Sequence, residues 1–294
     1  MNYQFYHGQD DYSDGDIEDV ILDYVKTDDA VMDILAGDNR WPVLYHLSPV
    51  RQNIVEWYDM KPDAAVLEIG AGCGAITGAL CKKAKKVVCN DLSKRRSLIN
   101  AYRNRNYDNL EIRVGNFNDV EFEEKYDYIT LIGVLEYAAY YTDAPDPFVG
   151  FLDKIRGLLK EDGKLLIAIE NKYGLKYFAG AREDHTGCFF DGIEGYKNTE
   201  GKVRTFSKDK LDEMLHHAGY QKTKFYYPFP DYKFPTQIFS DEYLPKAEDL
   251  ICSRENYDNN RMYLFNEASA YEELLQEGKF PFFSNSFFIE ASIG

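Results

Sequence analysis

Basic residues are scarce in this chain. Its 294 residues include 34 Lys and Arg against 50 Asp and Glu, a formal net charge of −16. That balance argues against nucleic acid as the main partner, because neutralising a phosphate backbone needs a clustered basic surface. The one basic cluster, Lys82-Lys83, Lys85-Lys86 and Lys94-Arg95-Arg96, reads as a solvated face. No apolar run approaches the roughly 20 residues of a membrane-spanning helix. The acidic start around Asp10-Asp11 has no apolar signal core. Cysteine is sparse: Cys73, Cys81, Cys89, Cys188 and Cys252 form no C-x-x-C pair and no zinc spacing. Reduced thiols, a cytoplasmic location and no metal are the expectations. Internal repeats and low-complexity segments are also missing.

The chain does have apolar substance: 45% of its residues are hydrophobic, enough for a proper core, and 24 are tyrosine. Tyrosine suits polar ligands such as sugars, and it suits amphipathic packing equally well. Residues 1–14 read as loose. Ile17, Val20, Ile21, Tyr24 and Val25 recur at helical spacing, a weak helix runs from Ala30 to Leu35, and residues 40–47 read as irregular. Ser48-Pro49 starts a further helix. About 60 residues thus form a helical extension.

Beyond residue 60, strands are expected at 65–69, 86–90, 110–114, 126–132 and 163–170, with helices at 74–84, 94–105 and 146–160 between them. Nearly all-apolar strands alternating with helices predict an α/β fold, a mostly parallel sheet with helices on both faces. Residues 171–206 and 229–280 read as insertions after the fifth and sixth strands. Ser207 caps a helix between them, followed by a strand at 221–228, and 282–291 reads as a final strand.

Val66 to Thr77 organises this part: a strand, a turn with glycines at 70, 72 and 74, then small helix-compatible residues. Alternate glycines let backbone approach a ligand where a Cβ would collide. Asp91 lies 91 − 70 = 21 residues beyond Gly70, which suits a carboxylate binding ribose hydroxyls. A dinucleotide fingerprint is G-x-G-x-x-G, whereas Gly70-Ala71-Gly72-Cys73-Gly74 is G-x-G-x-G. Glu68 beside the turn suits a cationic sulfonium ligand better than a pyrophosphate.

Glu68-Ile69-Gly70-Ala71-Gly72-Cys73-Gly74 resembles the first motif of class I S-adenosylmethionine-dependent methyltransferases. Asp91, Gly115-Asn116-Phe117 and the segments Tyr126–Ile129 and Val134–Tyr137 match its later motifs. The resemblance covers residues 60 to 228 and the last strand. It implies a seven-stranded Rossmann-like sheet, with residues 1–60 as extension and 61–294 as catalytic domain. S-adenosylmethionine is the implied cofactor, bound by Glu68, Gly70, Ala71, Gly72, Gly74, Asp91, Leu92, Asn116 and Phe117. Asn stands at 116 where the family usually has Asp, and Tyr137 where it often has His. Residues 170–196, 40–49 and 226–232 are similar to a bacterial branch associated with surface-polysaccharide or lipopolysaccharide biosynthesis. Members of that branch are often joined to glycosyltransferase or kinase-like domains.

Methyl transfer from a sulfonium needs a positioned acceptor and, for a hydroxyl, a base. His185 in the run Glu183-Asp184-His185 is the first candidate, weighed against a loop histidine that caps backbone. His46 and Glu136 follow, weighed against a structural histidine beside Trp41 and a helix-start carboxylate. Glu170, Asn171, Tyr173 and Arg182 are candidates for binding the acceptor. The expected acceptor is a small molecule or glycan: a hydroxyl on a sugar or phosphorylated sugar. Two other readings compete. A nicotinamide-dependent oxidoreductase or epimerase would need Tyr-x-x-x-Lys on a helix, and that spacing occurs at Tyr220 to Lys224 in a strand pattern. A non-catalytic module would explain Asn116 and Tyr137 but has no need of both Glu68 and Asp91.

Overall fold

The computed structural model describes residues 1–8, 13–27, 29–197, 202–250 and 260–294. Asp10-Asp11 and Cys252 lie outside the described residues. The chain divides into two compact units, Met1–Ile132 with Gly157–Leu165, and Gly133–Arg156 with Leu166–Gly294. Among the described residues there are nine strands, mostly parallel, rather than the expected seven. No helix among them is long and apolar enough to cross a membrane.

The first unit contains β1 (Asn2–Phe5), β2 (Ala65–Ile69), β3 (Lys86–Asp91), β4 (Leu110–Gly115) and β5 (Tyr126–Ile132), in the order β1-β4-β3-β2-β5. All their pairings are parallel: Leu67 lies opposite Val88 and Ile129, and Cys89 opposite Ile112. Val66, Leu67, Glu68 and Ile69 are buried in succession, so both faces of β2 are covered. A strand buried on both faces reads as a continuous apolar run, which is why β2, β3 and β5 were legible, whereas β4 alternates apolar residues with Glu111 and Arg113. The helices are α1 (Ile17–Lys26), α2 (Val31–Gly37), α3 (Trp41–Leu47), α4 (Asn53–Glu56), α5 (Thr77–Lys83) and α6 (Lys94–Arg103). Ser93 caps α6 by accepting from Arg96 N at 3.2 Å.

Two expectations for the extension need correction. Residues 1–14 are not all loose, since Asn2–Phe5 pairs with β4. This edge strand has no apolar period and takes its order from a pairing more than 100 residues away. Residues 40–47 are not irregular but form α3, which buries Val43 and Leu47, one turn apart, against Ile21, Val25 and Ile99. Pro42 is compatible because it stands in the first helical turn.

The second unit contains α7 (Ala138–Tyr141), α8 (Pro147–Arg156), α9 (Leu175–Phe178), α10 (Lys208–His217), α11 (Glu267–Gln276) and α12 (Phe280–Phe283). Its strands are the end of β6 (Leu159–Glu170) with β7 (Lys222–Phe229), β8 (Gln237–Ser240) and β9 (Ser286–Ser292), in the order β6-β9-β7-β8. β7 runs antiparallel to both neighbours, with Phe225 opposite Ile289 and Tyr227 opposite Phe239. Strand β6 starts at Leu159, not 163, because α8 stops at Arg156, before Gly157. The expected final strand 282–291 is split: Pro281 opens α12, and β9 begins only after Asn285. β8, inside the 229–280 insertion, was not expected; it is four residues long and depends on its pairing with β7.

Candidate active site

In the first unit the strand–turn–helix around Gly72 is built by backbone conformation. Gly70, Gly72 and Gly74 have φ of +70°, +52° and +73°, a region that costs side-chain-bearing residues energy. Gly70 N and Ala71 N donate to Asn90 O at 2.8 and 3.2 Å, which ties the turn to the end of β3. A Cβ on Gly74 would lie 2.4 Å from Asn100 Oδ1, whereas one on Gly72 would have nothing within 4 Å. The turn is thus closed on its Gly74 side and open at Gly72.

Two carboxylates frame it. Asp91, the last residue of β3, accepts from Gly72 N at 2.7 Å and from Ser93 N at 2.9 Å. Burial raises its pKa, with the charge of Arg96 and those two N–H groups working against the rise. Glu68 is buried beneath the turn, accepting from Thr77 Oγ1 at 2.6 Å and Cys89 Sγ at 3.1 Å. Burial pushes its pKa up to about 7. Beyond β4, Asn116 Oδ1 accepts from Asn118 N at 2.9 Å, and Phe117 is buried against Phe122. Leu92, between Asp91 and the capping Ser93, is half-buried. The three left-handed glycines, the open side at Gly72 and the half-buried acid at the end of β3 fit a nucleoside carrying a cationic group.

His46 also lies in the first unit. It is buried, its Nε2 2.7 Å from Asp14 Oδ2. Burial holds its pKa below the usual range despite Asp14. Asp14 in turn meets Arg96 at 2.8 Å. The imidazole is engaged in holding the extension to α6.

The second unit gathers a different group. Glu136 lies in the turn after β5 and is 1% exposed, and Glu170 ends β6 at 0%. His185 Nε2 is 3.7 Å from Glu136 Oε1 and 3.9 Å from Glu170 Oε2, both too long for a hydrogen bond. On its other side, His185 Nδ1 is 3.1 Å from Glu183 Oε1, and Glu183 Oε2 accepts from the N–H groups of His185 and Thr186 at 2.7 Å. The ring packs edge-on against Tyr137. Burial disfavours an imidazolium here, but Glu170, Glu136 and Glu183 outweigh it and hold the pKa well above the ordinary value. Burial, aided by Glu170, raises the pKa of Glu136.

Two lysines that the sequence reading did not single out complete the network. Lys233 Nζ lies 2.6 Å from Glu170 Oε1 and 2.5 Å from Asp184 Oδ1. Lys176 Nζ joins Asp184 to Asp231 at 2.9 and 2.7 Å. The available signal was a lysine within the aromatic, proline-rich run Phe229–Pro235, where burial without a partner carboxylate would be costly.

The geometry sits on a chain that resembles known proteins in part. Residues 67–165 match the family model described as a methyltransferase domain. Over these residues the chain is similar to that family of domains. S-adenosylmethionine is the cofactor that a match to this family implies. The chain is 35% identical over 68 residues to ribosomal RNA small subunit methyltransferase A of Thermotoga neapolitana, covering 23% of this chain and 26% of that one. It is 28% identical over 127 residues to the mitochondrial ubiquinone biosynthesis O-methyltransferase of Dictyostelium discoideum, covering 39% and 37%. The chain thus spans less than half the length of these relatives. Phosphoethanolamine N-methyltransferase 1 of Haemonchus contortus, solved with phosphoethanolamine and S-adenosylhomocysteine, shares the fold at 12% identity and a TM-score of 0.51, over 94% of this chain and 48% of that one. The fold is the Rossmann-like methyltransferase fold, with a mixed sheet and helices.

The remaining candidates in the second unit separate into two groups. Glu136, Glu170 and His185 converge. Asn171 does not join them: its side chain donates to Phe282 O and Ser284 O, both at 2.7 Å, and accepts from Tyr173 N. Tyr173 is stacked on Phe282, and Arg182 donates to Gly187 O and lies over Phe189. His216 and His217 stand on α10 next to Asp212 and Glu213.

Proposed function

We propose that the whole protein is an S-adenosylmethionine-dependent O-methyltransferase whose acceptor is a hydroxyl of a sugar or phosphorylated sugar in bacterial glycan assembly. The observation that carries the reaction type is the convergence of Glu136, Glu170 and His185 within the domain's own chain, beside Lys233. Each carboxylate follows or ends a strand at its carboxyl end, where ligands bind in open α/β sheets.

Bound in the open turn, S-adenosylmethionine supplies a methyl group already activated on a cationic sulfur. The chain's share of the work is to hold the donor and the acceptor and to take the hydroxyl proton. Asp91 and the backbone of residues 70–74 serve the donor. Glu136 suits the proton acceptor better than His185: burial raises its affinity for a proton, whereas three carboxylates keep the imidazole already protonated. His185 then positions Glu136 and carries the charge opposite it. The acceptor class is supported by the resemblance of residues 170–196 to the polysaccharide-associated branch.

Calorimetry with S-adenosylhomocysteine tests the donor site, with saturable binding expected for the natural chain. Transfer of a labelled methyl group to a panel of sugars, sugar phosphates and nucleotide sugars tests the acceptor. Labelling of an amine-bearing panel and none of the hydroxyl compounds would overturn the O-methyltransferase reading.

A further inference from the structure

We infer that Glu136, Glu170 and His185 form a binding site for a divalent transition-metal cation, against the expectation of no metal drawn from the sequence. One ligand atom from each of the three lies within 4.8 Å of the other two. The imidazole faces both carboxylates yet stops short of hydrogen bonding either, at 3.7 and 3.9 Å. Ligands placed about 2.1 Å from a shared ion at a wide angle span such a separation.

Unpartnered atoms point the same way. Glu136 Oε2 and Glu170 Oε2 are buried with no hydrogen-bond partner. Among the described residues, His185 is the cationic side chain facing Glu136, while Glu170 has Lys233 on its other oxygen. Buried carboxylate oxygens are ordinarily satisfied, and an orphaned pair needs a cation.

The surroundings are those of a held ligand set. Glu183 receives Nδ1–H of His185, a hydrogen bond that fixes the ring so that an ion displacing the Nε2 proton meets the Nε2 lone pair between the two carboxylates. Glu183 is itself anchored by Tyr196 Oη at 3.1 Å and by two backbone N–H groups. A carboxylate behind a ligating imidazole is the usual second support of a metal ligand. One imidazole with two carboxylates suits Mn²⁺ or Zn²⁺ better than Mg²⁺, whose ligands are oxygen alone. Three protein ligands leave a position open, and an acceptor oxygen bound there would lose its proton more readily. That last role rests on the function proposed above; the site itself does not.

The test uses the full chain, stripped with a chelator and titrated with MnCl₂, following the free Mn²⁺ signal by electron paramagnetic resonance. One ion per chain is expected. Glu136→Gln and His185→Ala should abolish that binding, and Glu183→Gln should weaken it about 10- to 100-fold. Mn²⁺ should raise the melting temperature of the natural chain and leave that of Glu136→Gln unchanged. The same samples are titrated with S-adenosylhomocysteine, which also shows that each variant is folded. No Mn²⁺ binding by a chain that binds S-adenosylhomocysteine overturns the metal site and leaves the methyltransferase reading standing. Equal Mn²⁺ binding in all variants overturns the ligand assignment. Mn²⁺ binding with no S-adenosylhomocysteine binding would instead count against the proposed function.

Discussion

Gly72 and Gly74 are two residues apart with similar positive φ, but their surroundings divide their roles. Alanine at 74 meets Asn100 Oδ1 at 2.4 Å in addition to the backbone strain. We expect Gly74→Ala to cost about 2–4 kcal/mol of stability, read as a lowered urea midpoint. Alanine at 72 carries the strain alone, about 1 kcal/mol, and its methyl group enters the open side of the turn. Gly72→Ala should therefore unfold nearly normally yet bind S-adenosylhomocysteine at least about tenfold more weakly, as one lost contact of 1.4 kcal/mol implies. Equal effects of the two changes on both measurements would refute the division. The sequence showed that glycines were needed at these positions, but not which side of each was closed, because Asn100 is brought there by the packing of α6.

Glu68 gives a second residue-level expectation, in pH. Its folded pKa of about 7 exceeds the unfolded 4.5. The folded state therefore binds the proton more tightly. The contribution is fully present below about 4.5 and is lost as pH rises through 7. The shift corresponds to roughly 3 kcal/mol at most. Urea denaturation between pH 5 and 8 should show the natural chain losing stability relative to Glu68→Gln as pH rises. A bound cationic ligand favours the ionised carboxylate, so S-adenosylmethionine should bind more tightly above pH 7 than below it, and this trend should vanish in Glu68→Gln.

At the scale of elements, the extension is held to the sheet's helices by charge as well as by apolar packing. Ile21 and Val25 of α1 pack with Ile99 of α6. Beside them Glu18, fully buried, meets Arg96 at 2.7 Å and Arg95 at 2.8 Å. Glu18 also accepts from Ser13 Oγ and Asp14 N, fixing the chain just before α1. Removing one partner of a buried pair leaves the other uncompensated, at about 3–5 kcal/mol. Glu18→Ala should lower stability by that order in urea. Because the charge of Arg96 opposes the burial-driven rise in the pKa of Asp91, Arg96→Met should also weaken S-adenosylhomocysteine binding. Unchanged affinity in a folded Arg96→Met protein would show that the extension is uncoupled from the donor turn. The apolar face of α1 was legible as a period, and so were β2, β3 and β5 as buried runs. The ion pair was not, because Glu18 and Arg96 are 78 positions apart. The short elements β1 and β8 were hidden for a similar reason, since each depends on a distant or adjacent strand rather than on its own pattern.

At the scale of the whole molecule, the candidate donor and acceptor residues belong to different compact units. Asp91 and the glycine turn are in Met1–Ile132, and Glu136, Glu170 and His185 are in the unit that ends at Gly294. Asp91 is held by Gly72 and Ser93, and Glu136 faces His185 at 3.7 Å, with no shared partner among these. The sequence signalled the donor side because its residues follow one another along the chain. It signalled the other side only as single candidates, since Glu136, Glu170, His185 and Lys233 come from four separate segments. Two substitutions should therefore dissociate binding from turnover. Asp91→Ala removes a charged acceptor of ligand hydroxyls and should weaken S-adenosylhomocysteine by about 1.5–3 kcal/mol, roughly 10- to 150-fold by calorimetry. Glu136→Gln should leave that affinity within about twofold of the natural chain, since sites with no shared partner behave additively. Its turnover with a hydroxyl acceptor should fall about 10²- to 10⁴-fold, the usual share of a proton-accepting group. A Glu136→Gln protein that turns over normally would remove the proton from its assignment, and one that loses S-adenosylhomocysteine binding would show that Glu136 serves donor binding rather than proton transfer.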